Sequence, residues 1–349
     1  KSAERILYTF SDEEKDFICR FAQEHADSLG KNEIEIQEMH NIVEGALERV
    51  NPAVAKSYRD YRNYKLDFIH MMDDVYTKSQ AIRYIGDKSN ANTDSALVAT
   101  KRSLIFNELN KELYRKFFMN RNELQACKDG YIYIHDQSAR LDTMNCCLFD
   151  VGSVLKGGFE MGNVWYNEPK TLDTAFDVMG DIILSTAAQQ YGGFTVPEVD
   201  KILSPYAQKS YNKYYEEFLK YSDPSWEGRE EKGRVYAWEK VCRDCDQGWQ
   251  GIEYKLNTVG SSRGDYPFVT MTSGTDISEY GKLVTKTMLE VRAGGQGKPG
   301  HKKPVLFPKI VFLYDEEIHG DGKECEDVFE AGVACSAKTM YPDWLSMSG

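Results

Sequence analysis

The run PVLFPKIVFLY, Pro304 to Tyr314, constrains the fold of this chain more than any other stretch. It reads as the strongest buried strand in the sequence and follows a Gly-rich loop, Gly294 to Gly300. Two further runs read as strands, Tyr131 to Ile134 and Pro267 to Thr272. Long helical patterns separate them: Ala96 to Cys127, whose leucines and phenylalanines mark it as core, then Thr171 to Gln190, Glu198 to Tyr221, Tyr236 to Lys255 and Ile277 to Arg292. Glu324 to Lys338 is a further helix. Strands spaced by long helices predict an α/β architecture with mostly parallel strands. Three strands alone are too few to close a barrel. No GxGxxG follows a strand and no Walker A motif is present, which disfavours the usual dinucleotide and P-loop folds.

Composition narrows the functional classes. A chain of 349 residues with 41% hydrophobic content buries a sizeable core in one large or two moderate domains. A net charge of −12 argues against a nucleic-acid partner and leaves anionic nucleotides to local basic pockets. No apolar run approaches the roughly 20 residues that span a bilayer, and no signal peptide opens the sequence, so no membrane partner is expected. Eight cysteines without disulfide-framework spacing suit a reducing, cytoplasmic location.

The chemistry concentrates in Gly130 to Ser153, GYIYIHDQSARLDTMNCCLFDVGS. The strand Tyr131 to Ile134 is expected to deliver His135 and Asp136 to its end. Ten residues on, Asn145-Cys146-Cys147 opens a second apolar run that reaches Val151. Two strand ends would then present imidazole, carboxylate, amide and thiol to a common space. That set suits chemistry in which sulfur gives or takes hydrogen.

Elsewhere the candidates have plain alternatives. Residues 1–65 read as helical, with a capped start at Ser11, an amphipathic stripe from Ile36 to Leu47, a break at Asn51-Pro52 and a Tyr/Arg-rich helix to Lys65. His40 lies near that stripe, as a rim residue or a ligand contact. The polar run Asp87 to Ser95 either caps the next helix through Asp94 and Ser95 or forms a flap in which Asn90 and Asn92 close over a polar substrate. Thr270, Thr272 and Ser273, at a strand end, either hold phosphate or ribose or belong to a turn. Cys242 and Cys245 form a CxxC, but on a helical pattern with no second pair to complete four ligands, so no metal site is expected.

Several stretches together resemble a known family. IEIQEMHNIVEGALERVNPAVAKSYRDYRNYK is similar to the second half of an ATP-cone, the regulatory nucleotide-binding domain of ribonucleotide reductases, although the cone's basic β-hairpin is not found. NCCLFD, QGIEYKLNTVGSSRGDYPFVT and FPKIVFLY resemble the class III anaerobic ribonucleoside-triphosphate reductase, and the resemblance runs over nearly the whole chain. It implies a ten-stranded glycyl-radical-enzyme α/β barrel made of two half-sheets. Residues 1–65 would be a partial ATP-cone, 66–95 a linker and flap, and 96–349 the first part of the barrel with effector and dimer helices. Specificity-site residues are expected between about 170 and 220, at the dimer interface.

The activity so implied is reduction of ribonucleoside triphosphates to 2′-deoxyribonucleoside triphosphates by radical chemistry. Formate is the reductant, ATP and dATP are effectors, Mg accompanies them, and the enzyme is a homodimer. A separate iron–sulfur activase using S-adenosylmethionine installs a glycyl radical. In the family the radical loop, the finger-loop cysteine and a four-cysteine Zn site lie beyond Tyr341-Pro342-Asp343-Trp344. They are not found in this sequence, so the chain alone is expected to be inactive.

An asparagine–cysteine pair of the family, facing the ribose from an early barrel strand, matches Asn145 and Cys146. In that match Asn145 hydrogen-bonds the ribose and Cys146 gives hydrogen to the 2′ position after water leaves, while strand alternation turns Cys147 away. His135 is implied as an aid to formate binding or proton relay. His40 and Lys65 match residues that contact the regulatory nucleotide. Two readings of other classes stand beside this one. The first is a regulatory nucleotide-binding and dimerisation fragment without turnover. The second is a glycyl-radical lyase of the pyruvate formate-lyase type, which shares the barrel but not the cone-like start.

Overall fold

The structure, a computed structural model, describes residues 2–84, 94, 96–140, 144–258, 260 and 264–347. The chain divides into two compact units, Lys1–Ala81 and Ile82–Gly349. Asn90 and Asn92, the flap candidates, lie outside the described residues.

The first unit is helical. Ser11 and Glu14 form a reciprocal capping box on α1 (Asp12–Ser28), each accepting from the other's backbone N–H. α1 packs on α2 (Ile36–Val50), and Asn51 turns the chain into α3 (Pro52–Tyr84), its side chain accepting from the Ala53 amide at 2.9 Å. Proline opens α3 where its missing N–H is not needed. Ala3, Leu47, Val54 and Ala55 make a small core. α3 carries no breaker between Pro52 and Tyr84 and continues through 66–84, past the expected domain end at 65, and the two compact units divide at 81/82.

The second unit opens with α4 (Val98–Phe117) and α5 (Arg121–Lys128), then β1 (Cys147–Leu148), α6 (Val151–Leu155) and a hairpin of β2 (Phe159–Met161) with β3 (Val164–Tyr166). There follow α7 (Leu172–Gln189), β4 (Phe194–Val196), α8 (Val199–Tyr221), α9 (Arg229–Thr258), β5 (Val269–Ser273) and α10 (Glu279–Gly294). β6 (Lys309–Tyr314), α11 (Glu316–His319), α12 (Glu326–Thr339) and β7 (Asp343–Ser346) close the order. One five-stranded sheet, β1-β4-β5-β6-β7, is parallel at every pairing. The expected α/β class with parallel strands is therefore present.

Three expectations about this unit need correction. Tyr131 to Ile134 is not a buried strand: Tyr131 and Tyr133 are 84% and 85% exposed. Gly130, at φ +79°, ends α5, and the amides of Gly130 and Tyr131 donate to the carbonyls of Cys127 and Ala126. That is a Schellman closure, so the β-prone tetrapeptide follows a helix stop instead of joining a sheet. Ala96 to Cys127 is two helices instead of one, divided by the Asn120–Glu123 capping box. Its side chains are not core either, for Thr100 alone is buried in α4 and Phe117 and Phe118 are exposed. Finally, β4, β7 and the β2–β3 hairpin were absent from the reading. β4 is three residues between Gly193 and Pro197, too short for an alternation to show.

The main core lies between one face of the sheet and helices α7 to α10 and α12. Trp249 of α9 is its largest buried side chain; its indole donates to the Val284 carbonyl at 3.0 Å and meets the Phe176 ring edge-on at 5.1 Å. Gly248, beside it, carries no side chain because a Cβ there would overlap the Phe176 ring, whereas a Cβ at Gly251 meets nothing within 4 Å. The two glycines should therefore respond with opposite sign. Gly251→Ala should stabilise by up to ~1 kcal/mol, the helix-propensity gain, and Gly248→Ala should destabilise by about 1–3 kcal/mol through overpacking. All five tryptophans lie in this unit, so urea unfolding followed by tryptophan fluorescence reads it selectively. Equal shifts from both variants would contradict this packing. Among the described residues no helix is long and apolar enough to cross a membrane.

Candidate functional site

Neighbours in a parallel sheet point to the same side. One side carries Phe194, Val196, Val269, Met271, Ile310 and Phe312, all buried beneath the helices. The other carries the registered row Leu148, Thr195, Thr270, Lys309, with Thr272 and Val311 in a row above. These residues are exposed or half-buried, Leu148 to 79%. Among the described residues the sheet thus has one covered face and one face open along these rows, with Leu313 farther along β6 buried. Lys309 is the charged member of the first row, its Nζ 4.6 Å from the Phe268 ring centroid.

Asn145 and Cys146 precede β1 on irregular backbone, and both are exposed. Cys147 opens β1, half-buried against the core, and its thiol donates to Gln190 Oε1 at 3.2 Å. The adjacent thiols thus differ in exposure as alternation requires, with Cys146 outward and Cys147 inward. Burial, with the neighbouring Cys146 adding to it, pushes the Cys147 thiol above its ordinary pKa. The 144–147 segment lies against the bend after α7. Tyr191 N–H donates to Met144 O at 3.1 Å and Gly192 N–H to Asn145 O at 2.6 Å. His135 is 74% exposed and pairs with Asp136 at 2.5 Å, Asp136 holding a left-handed φ of +55°. Ser138, just after them, donates to the Tyr191 hydroxyl at 3.3 Å, which ties the His-Asp turn to the same bend.

The three hydroxyls expected at the end of β5 do not act together. Thr270 is on the open face. Thr272 accepts the Glu198 amide at 2.8 Å and so fixes the turn from β4 into α8. Ser273 is fully buried on the helix-covered side, its Oγ without a partner among the described residues, and one residue of alternation separates it from Thr272. Beyond β5, Asp200 accepts the amides of Gly274 and Asp276 at 2.9 and 3.0 Å, and burial holds its carboxyl above the usual range against those bonds. Gln190, Gly192, Thr195 and Lys309 escaped the sequence reading. The adjacent glycines at 192 and 193 are the sequence signal for a close backbone approach.

In the first unit His40 Nδ1 meets the Tyr58 hydroxyl at 2.5 Å, and Arg62 pairs with Glu44 at 3.0 Å. Lys65 is exposed, seven residues and hence two helical turns beyond Tyr58 on the same side of α3. A cleft of about 320 Å³ between α7, α8 and α9 is lined by residues including Asp173, Tyr214, Arg243 and Lys255. Among the described residues no group of three or more His, Cys, Asp or Glu is placed to hold a metal ion.

A helix-backed parallel sheet, with an asparagine–cysteine pair just before its edge strand, defines an α/β protein. The family model for anaerobic ribonucleoside-triphosphate reductase matches residues 89–349, and that for the ATP cone domain matches residues 1–67. This chain belongs to the anaerobic ribonucleoside-triphosphate reductase family. The reductase of Escherichia coli (strain K12) is 30% identical over 331 residues, 91% of this chain and 44% of that protein. That of Haemophilus influenzae is 32% identical over 327 residues, 90% and 45%. The enzyme of Enterobacteria phage T4 is 34% identical over 261 residues, 74% and 41%. The chain thus spans less than half the length of these curated relatives. In fold it is similar to the crystal structure of the anaerobic ribonucleotide reductase from Thermotoga maritima with glycerol in the active site. That match has a TM-score of 0.53 at 14% identity and covers 83% of this chain and 50% of the other.

Proposed function

We propose that this chain supplies the substrate side of a formate-dependent reduction of ribonucleoside triphosphates to 2′-deoxyribonucleoside triphosphates. Cys146 is the thiol that gives hydrogen to the 2′ carbon, and Asn145 is a ribose ligand. The supporting observation is the placement of Cys146, exposed before the edge strand of an open sheet face that carries Thr195, Thr270 and Lys309, while Cys147 packs inward. In the balance of the reaction the 2′ hydroxyl takes up a proton and leaves as water. Formate leaves as carbon dioxide, and its hydrogen and two electrons are what the sugar gains. The family's glycyl radical, when present, supplies the hydrogen abstraction that starts this exchange. This chain's residues bind the nucleotide, orient the ribose and hold a weak S–H bond at the 2′ carbon.

Lys309 is a point charge for the triphosphate. In the complete, activated reductase Lys309→Ala should raise the KM for CTP by about tenfold with kcat nearly unchanged, the signature of lost uniform binding. An unchanged KM would remove Lys309 from the site. Residues 1–67 form the regulatory cone, with His40 and Lys65 toward one bound ATP or dATP. Inhibition by dATP that survives His40→Ala with Lys65→Ala, in the same preparation, would contradict that assignment. The cleft whose lining includes Asp173 and Tyr214, within the stretch expected to hold the specificity site, is the place for specificity effectors in this reading. The homodimer, the S-adenosylmethionine activase and closure of the sheet into a ten-stranded barrel belong to the same reading.

A further inference from the structure

We propose that the Gln190–Gly193 bend is the device that decides which of the two adjacent thiols faces the open side, with Gln190 and Gly192 as positioning residues. The inference rests on the reading of Cys146 as the reacting thiol. Between the parallel bridges Met144–Gln190 and Cys147–Phe194, one chain contributes two residues, Asn145 and Cys146, and the other three, Tyr191, Gly192 and Gly193. The longer side must bulge, and a bulge re-aims the side chains opposite it.

Gln190 holds the inward thiol. The residue is 3% exposed, and its carboxamide spans two contacts: Oε1 accepts from Cys147 Sγ at 3.2 Å, and Nε2 donates to Gly192 O at 3.2 Å. A buried amide has little water to fall back on, so these partners fix it and it fixes Cys147. Gly192 seats the outward pair. A Cβ there would lie 2.6 Å from Asn145 Oδ1 and 2.7 Å from Cys146 Sγ, and would overlap the Asn145 carbonyl. Gly192 does not have a left-handed φ, so an alanine would suffer only from what its methyl meets. What it meets is the Asn145–Cys146 pair. Gly193 is the built-in control, because its Cβ would overlap the Phe268 ring of the neighbouring segment and not the cysteines.

The test is brief anaerobic alkylation of the folded chain with iodoacetamide, with Cys146 and Cys147 quantified by peptide mass spectrometry. The unaltered chain should react about tenfold or more faster at Cys146, the exposed thiol, than at Cys147, whose thiol is half-buried, hydrogen-bonded and held above its ordinary pKa by burial. Gly192→Ala should erase that preference, and Gly193→Ala, a comparable packing insult, should keep it. Gln190→Ala should speed Cys147 by at least about threefold. It carries the test if circular dichroism shows that Gly192→Ala does not fold. In the complete reductase Gly192→Ala should lower kcat about 100-fold and also raise the KM for CTP, because it displaces the reacting thiol and the ribose ligand Asn145 together. Unaltered selectivity in folded Gly192→Ala, or equal loss in Gly193→Ala, overturns the proposal. Thiol selectivity is read without turnover, so a Cys146→Ser enzyme that still reduces nucleotides would overturn the catalytic reading alone.

Discussion

Glu253→Ala should destabilise the second unit by about 3–5 kcal/mol, the cost of leaving one partner of a buried ion pair alone. Arg292 of α10 is fully buried, and its Nε donates to Glu253 Oε1 of α9 at 2.7 Å. Its Nη2 donates to the Pro308 carbonyl at 2.7 Å, and its Nη1 has no partner among the described residues. Gln296 Nε2 takes the second carboxylate oxygen at 2.7 Å. One turn along α9, the Asn257 side chain donates to Phe307 O at 2.7 Å and accepts from Phe307 N at 3.1 Å. The end of α9 therefore does for the backbone before β6 what a neighbouring strand would do. Removing the carboxylate leaves a buried guanidinium with one fixed acceptor and frees the Gln296 amide. Replacing both charges together, Glu253→Leu with Arg292→Met, should recover most of the loss, because no unpaired charge remains. Urea unfolding read by tryptophan fluorescence checks both variants. A loss below about 1 kcal/mol in Glu253→Ala would show that water or a local shift relieves Arg292.

The parts of this fold that were legible announced themselves by length. β6 carries an apolar run long enough to be recognised alone, and α7 to α10 hold apolar stripes over several turns. β4 was illegible for the opposite reason. Three residues between a glycine pair and a proline show no period, and they become a strand only because β1 and β5 offer partners on either side. Tyr131 to Ile134 shows the converse: β-propensity without a partner makes no strand, since most of it reflects fit to a sheet surface. The exposed phenylalanines of α4 show that helical periodicity alone does not ensure burial.

At the candidate site, the residues to propose were more legible than what supports them. Asn145 and Cys146 stood out through the NCCLFD motif, and alternation separated Cys146 from Cys147. Gln190 and Gly192, which hold that arrangement, lie more than 40 residues on and become neighbours only through the parallel pairing of β1 with β4. Ser273 lies one residue of register from Thr272, on the covered face of the sheet. A hydroxyl count cannot see register, whereas a sheet fixes it.

The central claim is that Cys146 gives hydrogen to the 2′ carbon. Serine has nearly the same shape, but its O–H bond is too strong to yield hydrogen to carbon, so Cys146→Ser keeps the packing and loses the chemistry. The most direct measurement is deoxynucleotide formation from CTP and formate by the complete Cys146→Ser reductase, run beside Cys147→Ser. Nucleotide binding and the radical signal of the activated enzyme are recorded on the same samples. The account predicts normal binding and a normal radical signal with no detectable dCTP from Cys146→Ser, a loss exceeding about 1,000-fold or ~4 kcal/mol of barrier. Cys147→Ser, altered on the inward side, should keep most of its turnover. Turnover near that of the unaltered enzyme in Cys146→Ser, or loss confined to Cys147→Ser, would contradict it.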